Sequence, residues 1–444
     1  MAAGLPDSST LVDARPMHAA IVSKYHRYLE EKDEISAKLD AWLEVWGPKG
    51  PKNGYIPVTE SRSLDDELED QRQRFYLTQE QISEAREANP MAEFGTDGPF
   101  TLMTMDEFKQ FLSNTHTFAP ATEGPTVIAA VRRLRTSGKS QFAFNGGDYS
   151  ADAEKGYQST TDSYTQTTQP MYQGNTGSNA GNTNANTNGG WNFGDPAAPA
   201  PAPAPVPATK KKSTTTDLKT SDTTTAGDSD SDSVDWSKSG CVNPPGLQGQ
   251  CGSCWAFVSI GALEAAQCIA NGDKKAPTYS EQQLVSCDTK DYGCNGGAPV
   301  YAMEYLRDNG VCTESSYPYT SMEGGTAAAC AKTCTPTKSG ITKIVQLKAG
   351  DEAALLSAVK TQPVIASVAS NNVAWKQYMG GVITSCDTAT VDHAVLIVGY
   401  DATTIKVKNS WGTDWGEDGY VRISRSPKNM GTCAVLTDMS YPKL

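Results

Sequence analysis

Gln248-Gly249-Gln250-Cys251-Gly252-Ser253-Cys254-Trp255-Ala256-Phe257 is the stretch on which the reading of this chain turns. Cys254 opens a segment, WAFVSIGALEAAQCIA, whose apolar residues fall at helical spacing. A thiol at a helix N-terminus sits in the partial positive charge of the free N–H groups, which favours its thiolate. Three chemistries fit such a residue. Cys254 is a nucleophile, or Cys251 and Cys254 are a redox dithiol, or the two are half of a zinc site completed by Cys287 and Cys294. No thioredoxin-like βαβ pattern surrounds the dithiol. The second pair is spaced too widely for a usual zinc ribbon.

A thiol nucleophile needs a base and a group to orient it. The chain has four histidines, and only His393 lies in the same half as Cys254. Asp392 precedes it and the β-rich Ala394–Tyr400 follows. No other side chain type in that half titrates unperturbed near neutral pH.

The two halves differ in other ways. All 11 cysteines lie between Cys241 and Cys433. From Val234 onward there are 17 Lys+Arg against 19 Asp+Glu; the first 233 residues hold 21 against 32. The net charge of −13 therefore belongs mostly to the front, and it argues against a nucleic-acid or anionic-membrane partner. No run of about 18 apolar residues exists, so no membrane span is expected. The cysteine density predicts disulfides in an oxidising compartment, secreted or lysosomal. Met1–Ala20 lacks the apolar core of a secretory signal, so the expectation is that a signal peptide has been removed from this sequence.

Periodicity divides the chain into pieces. Residues 1–17 are expected to be a disordered N-terminus, and 18–125 a helical region. Ile35, Leu39, Trp42 and Trp46 form one apolar stripe. A second helix is expected over Leu64–Ala88, with Leu64, Leu68, Phe75, Ile82 and Ala85 as its sparse apolar positions; a helix this polar needs a partner surface. Residues 126–233 are expected to be a disordered linker, with low complexity from 145 on: Thr, Ser, Asn and Gly, then an Ala-Pro run, Lys210–Lys212 and DSDSDS. Residues 234–444 are globular, with helical patterns near 254–270, 281–285 and 299–308. Strand patterns follow at 364–369, 382–384, 394–400, 404–408 and 419–424. Helices first and strands later predict an α+β fold of two subdomains with a site between them.

Further blocks recur in order: SEQQLVSCDTKDYGCNGG (Ser280–Gly297), SYPYT (Ser316–Thr320), VDHAVLIVGY (Val391–Tyr400) and KNSWGTDWGEDGY (Lys408–Tyr420). Together with Gln248–Phe257, at these separations, they resemble the papain family of cysteine peptidases over Val234–Leu444. The resemblance implies a mainly helical left subdomain, a β-barrel-like right subdomain and a cleft between them. It implies Cys254 as nucleophile, His393 as proton carrier and Asn409 as its orienting partner. Trp411 would shield that bond, and Gln248 with the Cys254 backbone N–H would form the oxyanion hole. It further implies Gly296, Gly297, Ala298, Pro299, Ser367, Val391, Asp392 and Asp438 as substrate-binding residues, with Asp438 at the far end of the S2 pocket, where it would favour Arg. Family alignment pairs Cys251–Cys294, Cys287–Cys330 and Cys386–Cys433. Cys312–Cys334 is expected as a fourth bridge, and Cys241 and Cys268 are expected unpaired.

The resemblance also recasts the front half as an inhibitory propeptide. Against the family's helical signature, Glu67, Phe75 and Ile82 match, while Gln71, Thr78 and Arg86 depart. The stretch GPFTLMTMDEF (Gly98–Phe108) is similar to a downstream family stretch, with Leu102 where an Asp is usual. An inhibitor segment is expected to follow Phe108. The expectation is thus a cysteine endopeptidase zymogen that acts on polypeptides. Its own prodomain and cystatin-like inhibitors would be its partners, and it would be a monomer with no metal or cofactor. The competing classes are a papain-fold binding protein on a mucin-like stalk and a redox or zinc protein.

Overall fold

A computed structural model describes residues 16–56, 63–113, 233–426 and 429–444. They belong to one compact unit, Met1–Pro125 with Ala226–Leu444. The second unit, Thr126–Thr225, lies outside the described residues, as do the expected disordered N-terminus up to 15, the linker through 232 and Lys210–Lys212.

In the front region the helices Tyr25–Trp46 and Leu64–Ala88 pack on each other. Ile35, Leu39, Trp42 and Trp46 form the buried stripe of the first. The second starts at Ser63, whose hydroxyl caps the Asp66 N–H, with Asp65, Asp66 and Glu67 in its first turn, as the helix dipole favours. Its buried face holds the expected Phe75, Ile82 and Ala85, with Leu68 packed against the core, but not Leu64, and it is largely polar. Leu64 is 84% exposed, because it is the first residue past the cap and points to solvent, while Glu69, Asp70, Gln73, Arg74 and Thr78 are buried beside Phe75, Ile82 and Ala85. These polar groups are paired. Glu69 accepts from Tyr28 (2.7 Å) and meets Lys32 (2.8 Å), and Thr78 Oγ1 donates to the Thr101 carbonyl (2.8 Å). Arg74 bridges Asp70 (2.6 Å), Glu107 (2.5 Å) and the Leu102 carbonyl (3.2 Å). Leu102 itself is fully buried, so the Arg74 guanidinium finds its second carboxylate in Glu107 instead.

In the rear region the helices Cys254–Asn271, Glu281–Cys287 and Pro299–Asn309 gather around one apolar cluster, and the shorter Glu352–Val359 and Val373–Lys376 lie among the strands. A nine-stranded sheet lies beside them. Its strands are β1 (Ala92–Phe94), β2 (Val234–Asp235), β3 (Lys343–Gln346), β4 (Val364–Val368), β5 (Tyr378–Ile383), β6 (His393–Tyr400), β7 (Thr404–Lys408), β8 (Tyr420–Ser424) and β9 (Met439–Lys443). Their order is β1-β5-β8-β7-β6-β4-β9-β3, with β2 also on β6; the β5–β8 pair is parallel and the others antiparallel. β6 is buried along its whole length, which is why it reads as an unbroken apolar run rather than an alternation.

β1 comes from the front region and adds itself to the sheet edge. Ala92 pairs with Gly381, whose φ is +80° and whose added Cβ would meet the Met91 carbonyl at 2.3 Å. Only glycine allows both that backbone and that approach. Asn89 fastens the same edge, its Oδ1 accepting the Thr384 and Ser385 N–H groups (2.8 Å each). The front helices thus share one hydrophobic core with the sheet, which is the partner surface that the polar helix requires.

Candidate active site

The two subdomains each supply half of the site. On the helical side, Cys254 is the first residue of its helix, held by the Cys251–Cys294 disulfide and the Gly252 N–H on the Cys294 carbonyl (2.9 Å). On the sheet side, β6 and β7 pair with Leu396 opposite Lys408. The residues at that end, His393 and Asn409, therefore lie side by side despite their separation in sequence. His393 Nε2 is 2.7 Å from Asn409 Oδ1, which also accepts the Ser410 N–H (2.8 Å). That second bond fixes the amide with oxygen toward the ring, so Nε2 carries the hydrogen and donates it. Nδ1 has no partner among the described residues. The Cys254 thiol accepts the N–H of Ala394, the residue after His393, at 3.4 Å. Trp411 stacks on the imidazole, centroids 4.8 Å apart and 23° between planes.

Gln248 is buried between both sides. Its Oε1 accepts from Ser410 Oγ (2.6 Å), and its Nε2 donates one hydrogen to the Cys251 carbonyl (3.1 Å), leaving the other for a ligand. Burial pushes the Cys254 thiol up to about 12 and the His393 imidazole down to about 4. Desolvation disfavours each charged form in turn, so in this covered arrangement both groups are neutral.

The covering is visible at Trp411. Phe100, Phe108 and Phe111 of the front region pack against its ring, with centroids 5.2, 5.6 and 6.4 Å away. Lys376 is fully buried and its Nζ donates to the Met103 carbonyl, a second tie across the same contact. The helix Met105–Ser113 carries Phe108 and Phe111, so the inhibitor segment expected after Phe108 starts as the end of this helix, and its remainder lies outside the described residues from 114 on.

The other expected residues are placed as follows. Gly296 and Gly297 end the loop after Cys294, and a Cβ on Gly297 would meet the Trp255 ring at 2.6 Å and the Asp291 carboxyl at 2.7 Å, so its backbone stays bare. Ala298 and Pro299 are buried at the head of the Pro299–Asn309 helix, the Ala298 N–H on Asp291 (2.8 Å). Ser367 donates to Asp438 from its hydroxyl (3.3 Å), and burial raises the Asp438 carboxyl. Val391 clusters with Ala369 and Ala434. Asp392 accepts from the Ser370 N–H (2.8 Å), the Ser370 hydroxyl (2.9 Å) and the Asn371 N–H (3.0 Å), so it organises that loop.

Five disulfides are formed: Cys251–Cys294, Cys287–Cys330, Cys386–Cys433, Cys312–Cys334 and Cys241–Cys268. The last corrects the expectation that Cys241 and Cys268 are unpaired. The Ala276 N–H on the Gly240 carbonyl (2.7 Å) draws the Cys241 loop onto the end of the Cys254–Asn271 helix, leaving the two Cα atoms 5.3 Å apart. Cys254 is the free cysteine, and no group of metal-ligating side chains occurs among the described residues. Sequence reasoning missed Ser410 and Tyr319. Ser410 stands inside Lys408–Tyr420 and Tyr319 inside Ser316–Thr320, but nothing in their spacing shows that their hydroxyls reach Gln248.

The chain is similar in sequence and fold to known proteins. A family model described as papain family cysteine protease matches residues 231–443. Mexicain of Jacaratia mexicana is 40% identical over 212 residues, 47% of this chain and 96% of mexicain. The senescence-specific cysteine protease SAG12 of Arabidopsis thaliana is 42% identical over 219 residues, 48% of this chain and 62% of that protein's length. Among solved structures, the Amb a 11 cysteine protease of ragweed pollen in its proform shares the fold, with a TM-score of 0.60 at 23% identity over 97% of this chain and 89% of that one.

Proposed function

Because the chain belongs to the papain family of cysteine proteases, we propose that it is a cysteine-type endopeptidase made as a zymogen. The observation that carries this reading is the alignment of Cys254 at a helix N-terminus with the His393–Asn409 pair, the imidazole presenting an unpartnered Nδ1. In the opened site Nδ1 takes the thiol proton, and the Cys254 sulfur attacks the scissile carbonyl carbon. The Gln248 amide and the Cys254 N–H hold the oxyanion. Nδ1 then delivers its proton to the leaving nitrogen as the C–N bond breaks. Water, losing a proton to His393, cleaves the resulting thioester and restores the thiol.

The front region, 18–125, acts as the intramolecular inhibitor and 234–444 as the catalytic domain. The packing of three phenylalanines on Trp411 and the β1–β5 pairing support this. Maturation falls in or near DSDSDS, just before Val234. The enzyme works as a monomer in a secreted or lysosomal-type compartment on polypeptides, and cystatin-like proteins inhibit it. No helix among the described residues is long and apolar enough to cross a membrane. Asp438, bonded to Ser367 inside the S2 wall, makes Arg acceptable at P2 beside Leu or Phe. Asp438→Ala then lowers kcat/KM on an Arg-Arg substrate and spares Phe-Arg; equal Arg-Arg cleavage by both proteins sinks that point.

The test of the activity is labelling with an epoxide thiol inhibitor after incubation at about pH 4.5. Labelling is expected in the wild type and in Cys251→Ala and absent in Cys254→Ala. A wild type that takes no label contradicts the proposal.

A further inference from the structure

Tyr319 is a residue for which the peptidase reading has no role, and its hydroxyl touches both halves of the oxyanion site. The Tyr319 Oη donates to the Gln248 backbone carbonyl at 2.8 Å and lies 2.7 Å from Ser253 Oγ. A carbonyl can only accept, so the single phenol hydrogen is committed to Gln248 and the Ser253 hydroxyl donates to Tyr319. The alternative acceptor for Ser253, the Cys251 carbonyl, is 3.4 Å away and loses that competition. The result is a directed chain, Ser253 O–H to Tyr319 O–H to Gln248 C=O.

Each end of the chain bears an oxyanion donor. Gln248 carries the side-chain amide, and Ser253 is the cap residue whose peptide bond presents the Cys254 N–H. Ser253 is fully buried and Gln248 is 1% exposed, so neither can exchange this partner for water. The Tyr319 ring is itself held edge-on to Phe257, centroids 5.0 Å apart, and its backbone N–H is held by Glu314 (2.8 Å). Burial raises the phenol, which keeps it a donor across the working pH range.

Resting on the peptidase reading, we infer that Tyr319 is a positioning residue. Its hydroxyl sets the spacing between the Gln248 amide and the Cys254 N–H, and so tunes stabilisation of the tetrahedral intermediate without touching substrate.

The experiment compares acid-activated full-length wild type with Tyr319→Phe, which keeps the ring and removes only the oxygen. Two readouts are taken: kcat and KM on a peptide amide, and the rate at which iodoacetamide alkylates Cys254. Alkylation needs the thiolate but no oxyanion hole. Deleting an oxyanion donor outright costs about 10²–10³-fold in kcat, so misplacing a donor is expected to lower kcat by about tenfold. KM and the alkylation rate should stay within about twofold. Ser253→Ala, which breaks the other link, should shift kcat the same way, and the double variant should lose less than the product of the two. Equal falls in hydrolysis and alkylation overturn the inference, because they indicate general damage; so does an unchanged kcat. A wild type inert to peptide and iodoacetamide alike overturns the peptidase reading itself, and the role of Tyr319 with it.

Discussion

The carboxylates of the front region and those inside the catalytic region are shifted in opposite directions. In the front, burial pushes Glu69 and Glu107 up, but Lys32 with Gln73 and Tyr28, and Arg74 with Thr104, outweigh it and hold both below the usual carboxylate range. In the interior of the catalytic region burial wins. Glu264 is raised to about 7 and the half-buried Glu281 to about 8, the latter also by the charge of Glu264, while the half-buried Lys408 opposes both. Asp291 rises to about 9 from burial and the neighbouring Asp288. The carboxylates of the sheet side that do lie low, Asp235, Asp401 and Glu417, are bonded to Lys406, to Thr403 and Thr404, and to Arg422.

The signs follow. A carboxylate depressed by folding stabilises above its ordinary pKa, and that stability is lost as pH falls through the depressed value. A carboxylate raised by folding stabilises at low pH and loses that contribution as pH climbs from its ordinary value to the raised one. His393 adds to the first effect. Its value of about 4 in the covered site lies below the ordinary 6.5, so the covered state binds fewer protons than an open one and weakens as pH drops through that window. Acid is therefore expected to weaken the front network and the covered site, and to relieve the repulsion and desolvation at Glu264, Glu281 and Asp291.

The largest test separates the regions by function. His393→Ala should lower kcat/KM of the activated chain by roughly 10³-fold, since it removes both general base and acid, while the front region still docks. Comparable peptidase rates would break the division of labour. Next, Arg74→Ala removes the cation shared by Asp70 and Glu107, leaving His18 on the one and Thr104 on the other, with a loss on the order of 2–3 kcal/mol. Activity should then appear at neutral pH without acid treatment, and a zymogen as silent as wild type would contradict this. The smallest effect is in the catalytic interior. Glu281→Gln removes one raised carboxylate, so the activated enzyme's Tm should fall by a few degrees less between pH 5 and pH 8 than wild type's. An unchanged slope places its titration elsewhere.

The legibility of the sequence splits along the same line. The helix at 254 and the apolar β6 were readable from their patterning, and Cys254 and His393 because a thiol and an imidazole carry chemistry in their residue type; Asn409 was readable only through the resemblance to the papain family. The Leu64–Ala88 helix has the ends expected of it. The polar part of its buried face was not legible, because periodicity counts apolar residues, and Glu69, Asp70 and Arg74 are buried through partners far away in the chain. Short strands such as β1 and β2 exist only through the strands they meet, and three or fewer residues leave no period to detect. The Cys241–Cys268 bridge was equally invisible, because a loop contact creates it.

The most direct measurement pre-incubates the intact chain at about pH 7 or pH 4.5, then assays both samples together at about pH 6 on a Phe-Arg fluorogenic peptide, with the chain length followed on a gel. The account predicts near silence after pH 7, and after pH 4.5 a lag followed by hydrolysis, as cleavage just before Val234 proceeds. Equal rates from unprocessed chain after both incubations would contradict it.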